Sequence, residues 1–101
     1  MLFRSTMGKI AALLQARGDL EEALRIRREE ELPVFEKLGD ARSLMLGRAK
    51  LAVTLFKRGD PVDHQETSHL LGQAFKTATQ MRLPEAQQIA DLHQQLLGKP
   101  V

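Results

Sequence analysis

The residues best equipped for chemistry are His64, Glu66 and His69, with His93 further along the chain. Imidazole and carboxylate make up the donor set of many zinc sites, where paired histidines stand four apart on one helix face. His64 and His69 are five apart, about 140° around a helix, so they do not converge on one ion. No further ligand cluster follows, and neither a metal nor a cofactor is expected. His93 falls in an apolar stripe, where a histidine is more often packed or hydrogen-bonded than a ligand. The chain has no Cys, which removes disulfides, thiolate zinc sites and cysteine nucleophiles. No Gly-rich phosphate loop, nucleophile elbow or Ser/His/Asp arrangement stands in the sequence. No catalytic residue is assigned, and the chain is read as a non-enzyme.

Charge is the next candidate. Arg25, Arg27 and Arg28 run into Glu29, Glu30 and Glu31. On a helix, Glu21–Arg25, Arg25–Glu29 and Arg27–Glu31 are i, i+4 pairs, each contributing only a few tenths of a kcal/mol when exposed. Nucleic-acid binding needs cations without that neutralisation, and usually aromatic stacking platforms. With four Phe and no Tyr or Trp, no nucleic-acid partner is expected. Arg17-Gly18-Asp19 and Arg58-Gly59-Asp60 carry the Arg-Gly-Asp adhesion triplet. Both read better as a helix stop followed by a cap.

Length and composition bound the rest. The 101 residues, 43% apolar and 28% charged, suit one small globular domain spanning 1–101 rather than a disordered chain. A net charge of +2 is too slight to argue for a nucleic-acid or membrane partner on charge alone. No apolar run approaches the roughly 20 residues of a membrane span, and Met1 is not followed by a signal-peptide pattern. A cytoplasmic location and no membrane partner are expected.

The elements that must position these side chains are helices. Arg17-Gly18-Asp19, Leu38-Gly39-Asp40 and Arg58-Gly59-Asp60 each join a glycine able to stop a helix to an aspartate able to cap the next. Asp19 has Glu22 three residues on, a capping-box spacing, and Asp60 is followed by Pro61, which favours a first helical position. Leu83-Pro84 makes a fourth break. Apolar residues recur at helical spacing in the segments between: Met7, Ile10, Ala11 and Leu14; Leu51, Ala52 and Leu55; Leu71, Ala74, Phe75 and Ala78; Ala86, Ile89, Ala90 and His93. The expected helices run over about 2–17, 20–38 with a kink near 33, 41–58, 61–81 and 84–97. Pro33 costs a backbone hydrogen bond there. No segment alternates with the period of two that strands need, so the fold class is all-α.

A repeat underlies these helices. Gly18 and Gly59 lie 41 residues apart, and around them Ile10-Ala11 matches Leu51-Ala52, Leu14 matches Leu55, and the Arg-Gly-Asp triplets coincide. A helical hairpin recurring at this period is the signature of a helical solenoid. The pattern resembles the tetratricopeptide repeat, in the longer form of about 40 residues found in kinesin-light-chain-like proteins. Ala11 and Ala52 match its small position between paired helices, Leu14 and Leu55 the large apolar one, Gly18 and Gly59 the turn, and Ala23 the small residue of the second helix. Arg27, His64 and Gln94 or Gln95 depart from the family's packing residues. The resemblance covers residues 2–98 and implies a right-handed α-α superhelix of two helical hairpins plus a closing helix, with residues 84–98 as a polar cap.

The resemblance further implies a protein–protein interaction scaffold that takes a partner's peptide or helix in a concave groove. By analogy the groove residues are Ser5, Gly8, Ala12 and Gln15 on the first helix and Leu46, Ala49, Val53 and Phe56 on the third, with Lys57 at the rim. The competing arrangement has the fifth helix folded over these residues, making them core. The alternative function is a structural self-association module, a homo-oligomer or part of a longer repeat array. On that reading Leu2, Phe3, Met7 and Ile10 meet the next copy or repeat, because the chain begins where a repeat's first helix begins.

Overall fold

A computed structural model describes residues 19–101 of the chain. The first helix expected over 2–17, with Ser5, Gly8, Ala12, Gln15, Leu2, Phe3, Met7 and Ile10, lies outside the described residues. Among the described residues the protein is all-α, with no strand. Helix α1 spans Leu20–Ile26, a π-helical turn follows at Arg27–Glu31, and α2 spans Leu32–Leu38. Three longer helices complete the order: α3 at Ala41–Arg58, α4 at Asp63–Gln80 and α5 at Glu85–Leu97.

Helix starts and stops follow from a few side chains. Asp19 accepts the Glu22 amide at 3.2 Å, and Asp40 accepts the Ser43 amide at 3.1 Å, each supplying an acceptor to an otherwise orphaned N–H. Gly39 at φ 66° closes α2, and Gly59 at φ 79° closes α3. The third aspartate behaves differently. Asp60 accepts from the Val62 amide at 3.1 Å, an Asx-type turn, and α4 starts only at Asp63. Nor is the capping box at Asp19 reciprocal: the Glu22 carboxylate turns away to Arg25, with contacts of 2.5–3.1 Å.

The irregularity expected near Pro33 sits one turn earlier. An ordinary α-turn would press the proline ring against the Glu29 carbonyl, to which Pro33 has no N–H to give. The ladder widens just upstream instead, with the Leu32 amide donating to the Arg27 carbonyl five residues back. Helix α4 closes without glycine. Arg82 takes the left-handed conformation at φ 54°, while the Leu83 and Arg82 amides return to the carbonyls of Ala78 and Thr79 at 2.9 and 3.1 Å.

Each helix packs on the next in the chain: α1 and α2 against α3, α3 against α4 most extensively, and α4 against α5. Leu24, Leu32 and Phe35 meet Met45, Leu51, Ala52 and Leu55, which continue into Leu70, Leu71, Ala74 and Ala78 and on to Ile89. Each fully buried Leu in that row contributes about 1.5–3 kcal/mol by leaving water. Close approach of α2 to α3 depends on Gly47, since an added Cβ would stand 2.7 Å from Leu32 Cδ2 and 3.3 Å from Phe35 Cε2. On α5 the faces separate cleanly. Ile89 and His93 point inward, while Gln87, Gln88, Asp91, Gln94 and Gln95 are exposed. No helix among the described residues is long and apolar enough to cross a membrane.

Candidate functional site

Helix α3 has two apolar sides. One, carrying Met45, Leu51, Ala52 and Leu55, is core. The other carries Leu46, Ala49, Val53 and Phe56 at i, i+3, i+7 and i+10, a single stripe at helical spacing, and all four are only half-buried. Leu46 and Ala49 lean on the core cluster from its edge, whereas Val53 and Phe56 belong to neither buried cluster. Phe56 stacks on the His64 ring with centroids 5.6 Å apart and planes inclined by 19°. Lys57 is exposed beside them. Helix α5 lays its apolar face on α4, and the stripe keeps its partial exposure.

Ion pairs fix α3 within the stack. Arg58 reaches Asp63 through Nε and Nη2, both at 2.8 Å, and Glu21 of α1 through Nη1 at 3.1 Å. Hydrogen bonding to Asp63, then to Glu21, raises the Arg58 guanidinium above its ordinary range. The same bonds from Arg58 hold the Asp63 carboxyl below its ordinary value. At the other end of α3, Arg42 pairs with Glu85 of α5, and Arg28 reaches Glu66 of α4 at 2.6 Å. These contacts account for the second Arg-Gly-Asp triplet: Arg58 is engaged in ion pairs, Gly59 ends a helix and Asp60 closes a turn.

The histidines resolve into different roles. His64, Glu66, Ser68 and His69 line an open cleft of about 790 Å³ whose far wall is Leu97 and Lys99. Among the described residues no three His, Asp or Glu gather as a ligand set. His93 is buried, with Nδ1 at 2.7 Å from the Lys99 carbonyl and Nε2 at 3.0 Å from Ser68 Oγ. A carbonyl only accepts, so Nδ1 carries the proton in the neutral ring and Nε2 accepts from the Ser68 hydroxyl. A serine hydrogen-bonded to an oriented histidine is a nucleophile–base pair. Acyl transfer also needs free donors for the developing oxyanion, and the amides around Ser68 are committed to the interior ladder of α4. The geometry therefore clips α4, α5 and the segment after Gly98 together.

Three of these features escape a reading of the residues alone. Ser68 and His93 are 25 apart, and only the packing of α4 on α5 joins them. Arg27 and Glu31 are not a surface pair. Both are buried, 3.3 Å apart, and Arg27 Nε has no hydrogen-bond partner. Glu21 and Arg25 do not pair either, since Glu21 goes to Arg58 and Arg25 takes Glu22, Glu29 and Glu30. Gly47 carried a signal, an isolated glycine in a helical stretch, which often marks close packing. Comparison with known proteins gives no match to a family model, a curated protein or a solved structure.

Proposed function

We propose that the chain is a tetratricopeptide-like scaffold that binds a peptide or helix of a partner protein along the half-buried stripe of α3. The observation that carries this reading is the stripe itself. Leu46, Ala49, Val53 and Phe56 form a half-buried apolar row beside the core side of α3, with Leu46 and Ala49 at the core's edge and Val53 and Phe56 outside it, and α5 packs on α4. Two features support the solenoid arrangement: helices stacking in chain order, and the polar outer face of α5 that a capping helix needs. On this reading the unit is a superhelical array, non-enzymatic and cytoplasmic.

The test is to select peptides on the whole chain from a displayed random library and to map one by amide chemical shifts. Shifts concentrated on residues 46–57 are expected. Shifts confined to the cleft by His69 and Lys99, or spread without pattern, refute the assignment. Sedimentation equilibrium across a concentration series separates this function from self-association. A monomer that binds peptide supports the groove, and a tight dimer that binds none supports assembly.

A further inference from the structure

Helix α3 has an unusual charge inventory. Its eighteen residues include Arg42, Arg48, Lys50, Lys57 and Arg58 and no Asp or Glu. Arg42 and Arg58 are neutralised by Glu85 and by Asp63 with Glu21. Lys50 and Lys57 are exposed, and neither has an ion-pair partner among the described residues. They are seven apart, two helical turns or about 10.5 Å along the axis, on the same side. Leu46, Lys50, Val53 and Lys57 then follow one another at steps of four, three and four residues. Apolar and cationic side chains alternate along one ridge.

We infer that the occupant of this face is an acidic amphipathic helix of a partner protein, with carboxylates about two turns apart and apolar side chains between them. The inference rests on the groove reading above and adds the partner's chemistry to it. Three points carry it. A helix laid along α3 meets the same 1.5 Å rise per residue, so its own i, i+3, i+4 and i+7 positions match the ridge. Unpaired lysines at the edge of an apolar row attract carboxylates and repel basic segments, which gives selectivity more than raw affinity. Leu46 and Val53, alternating with the lysines, favour a peptide over a nucleic acid, which would engage the cations and leave the apolar residues unused.

The experiment uses the full chain and a displayed random 16-residue library. Enriched peptides should carry paired Asp or Glu at helical spacing around apolar residues. A synthetic winner should bind at least tenfold more weakly to the Lys50→Glu, Lys57→Glu double variant and progressively more weakly as salt rises. Circular dichroism confirms that the variant remains folded, and a Lys50→Gln, Lys57→Gln pair should lose less affinity than the reversed charges. Winners without acidic enrichment, or binding the double variant equally well, overturn the inference. If such winners still lose affinity on Val53→Ser, the groove stands and only the acidic partner falls. Winners indifferent to Val53→Ser remove the groove reading as well, as does a library that yields no enrichment. A labelled oligouridine that binds more tightly than any peptide overturns the inference in favour of RNA.

Discussion

Gly47→Ala puts the tightest contact of the fold under test. In an open helix interior the change stabilises by about 0.5–1 kcal/mol, because alanine loses less backbone freedom on folding. At Gly47 the new Cβ would stand 2.7 Å from Leu32 Cδ2, with the Phe35 ring at 3.3 and 3.4 Å behind it. Carbon atoms pack best at about 3.5–4.0 Å, so the methyl of Leu32 must move by close to 1 Å. Leu32 and Phe35 are both buried, and overpacking of such a core costs about 1–3 kcal/mol. The two effects combine to a net loss of about 0–2.5 kcal/mol. At about 4–8 °C per kcal/mol for a domain of this size, a mid-range loss of about 1 kcal/mol lowers Tm by roughly 4–8 °C. Gly72→Ala is the control, since nothing lies within 4 Å of its added Cβ, and it should raise Tm by a few degrees. Thermal unfolding followed by circular dichroism at 222 nm reads both variants. If Gly47→Ala is as stabilising as Gly72→Ala, the close approach of α2 and α3 is wrong.

Two further outcomes follow from the same structure. Arg82→Gly should stabilise the chain by about 0.5–1 kcal/mol, because a left-handed residue with a Cβ is strained and glycine is not; an unchanged or lower midpoint in urea would refute the turn after α4. Asp63→Asn should lower Tm at pH 7, since Arg58 holds the Asp63 carboxyl below its ordinary value of 3.8. A depressed folded-state pKa adds stability above the unfolded value and loses it as pH falls through the folded one. The Tm gap between the two proteins should therefore persist down to about pH 4 and shrink below it, and a gap independent of pH would count against the pairing.

Local signals made much of the helix layout legible. Gly39-Asp40 closes one helix and caps the next, as the residue types imply, because a left-handed glycine and a capping carboxylate act within one turn of themselves. Gly59-Asp60 shows the limit. The glycine stops α3, but Pro61 and Val62 divert the aspartate into a turn, and α4 starts three residues later. Pro33 announces a disturbance without giving its place. The helix takes up the missing donor one turn upstream, where a π-turn shifts the ladder before the ring is reached.

The sequence by itself determined the all-α class and the helix stops at Gly39 and Gly59, since each depends on residues within one helix or one turn, while the row Leu46, Ala49, Val53 and Phe56 came from the family resemblance. Tertiary structure alone decided which ion pairs form, that Ser68 meets His93, that Arg27 and Glu31 are buried, and that α5 packs on α4. Glu21–Arg58, Arg28–Glu66, Arg42–Glu85 and Ser68–His93 join residues 25–43 apart in the chain, and no local pattern encodes such distances. Glu21 had a helical neighbour in Arg25 and a distant one in Arg58. The packing of α1 on α3 brought Arg58 within 3.1 Å, and the fold, rather than the i, i+4 rule, chose the partner.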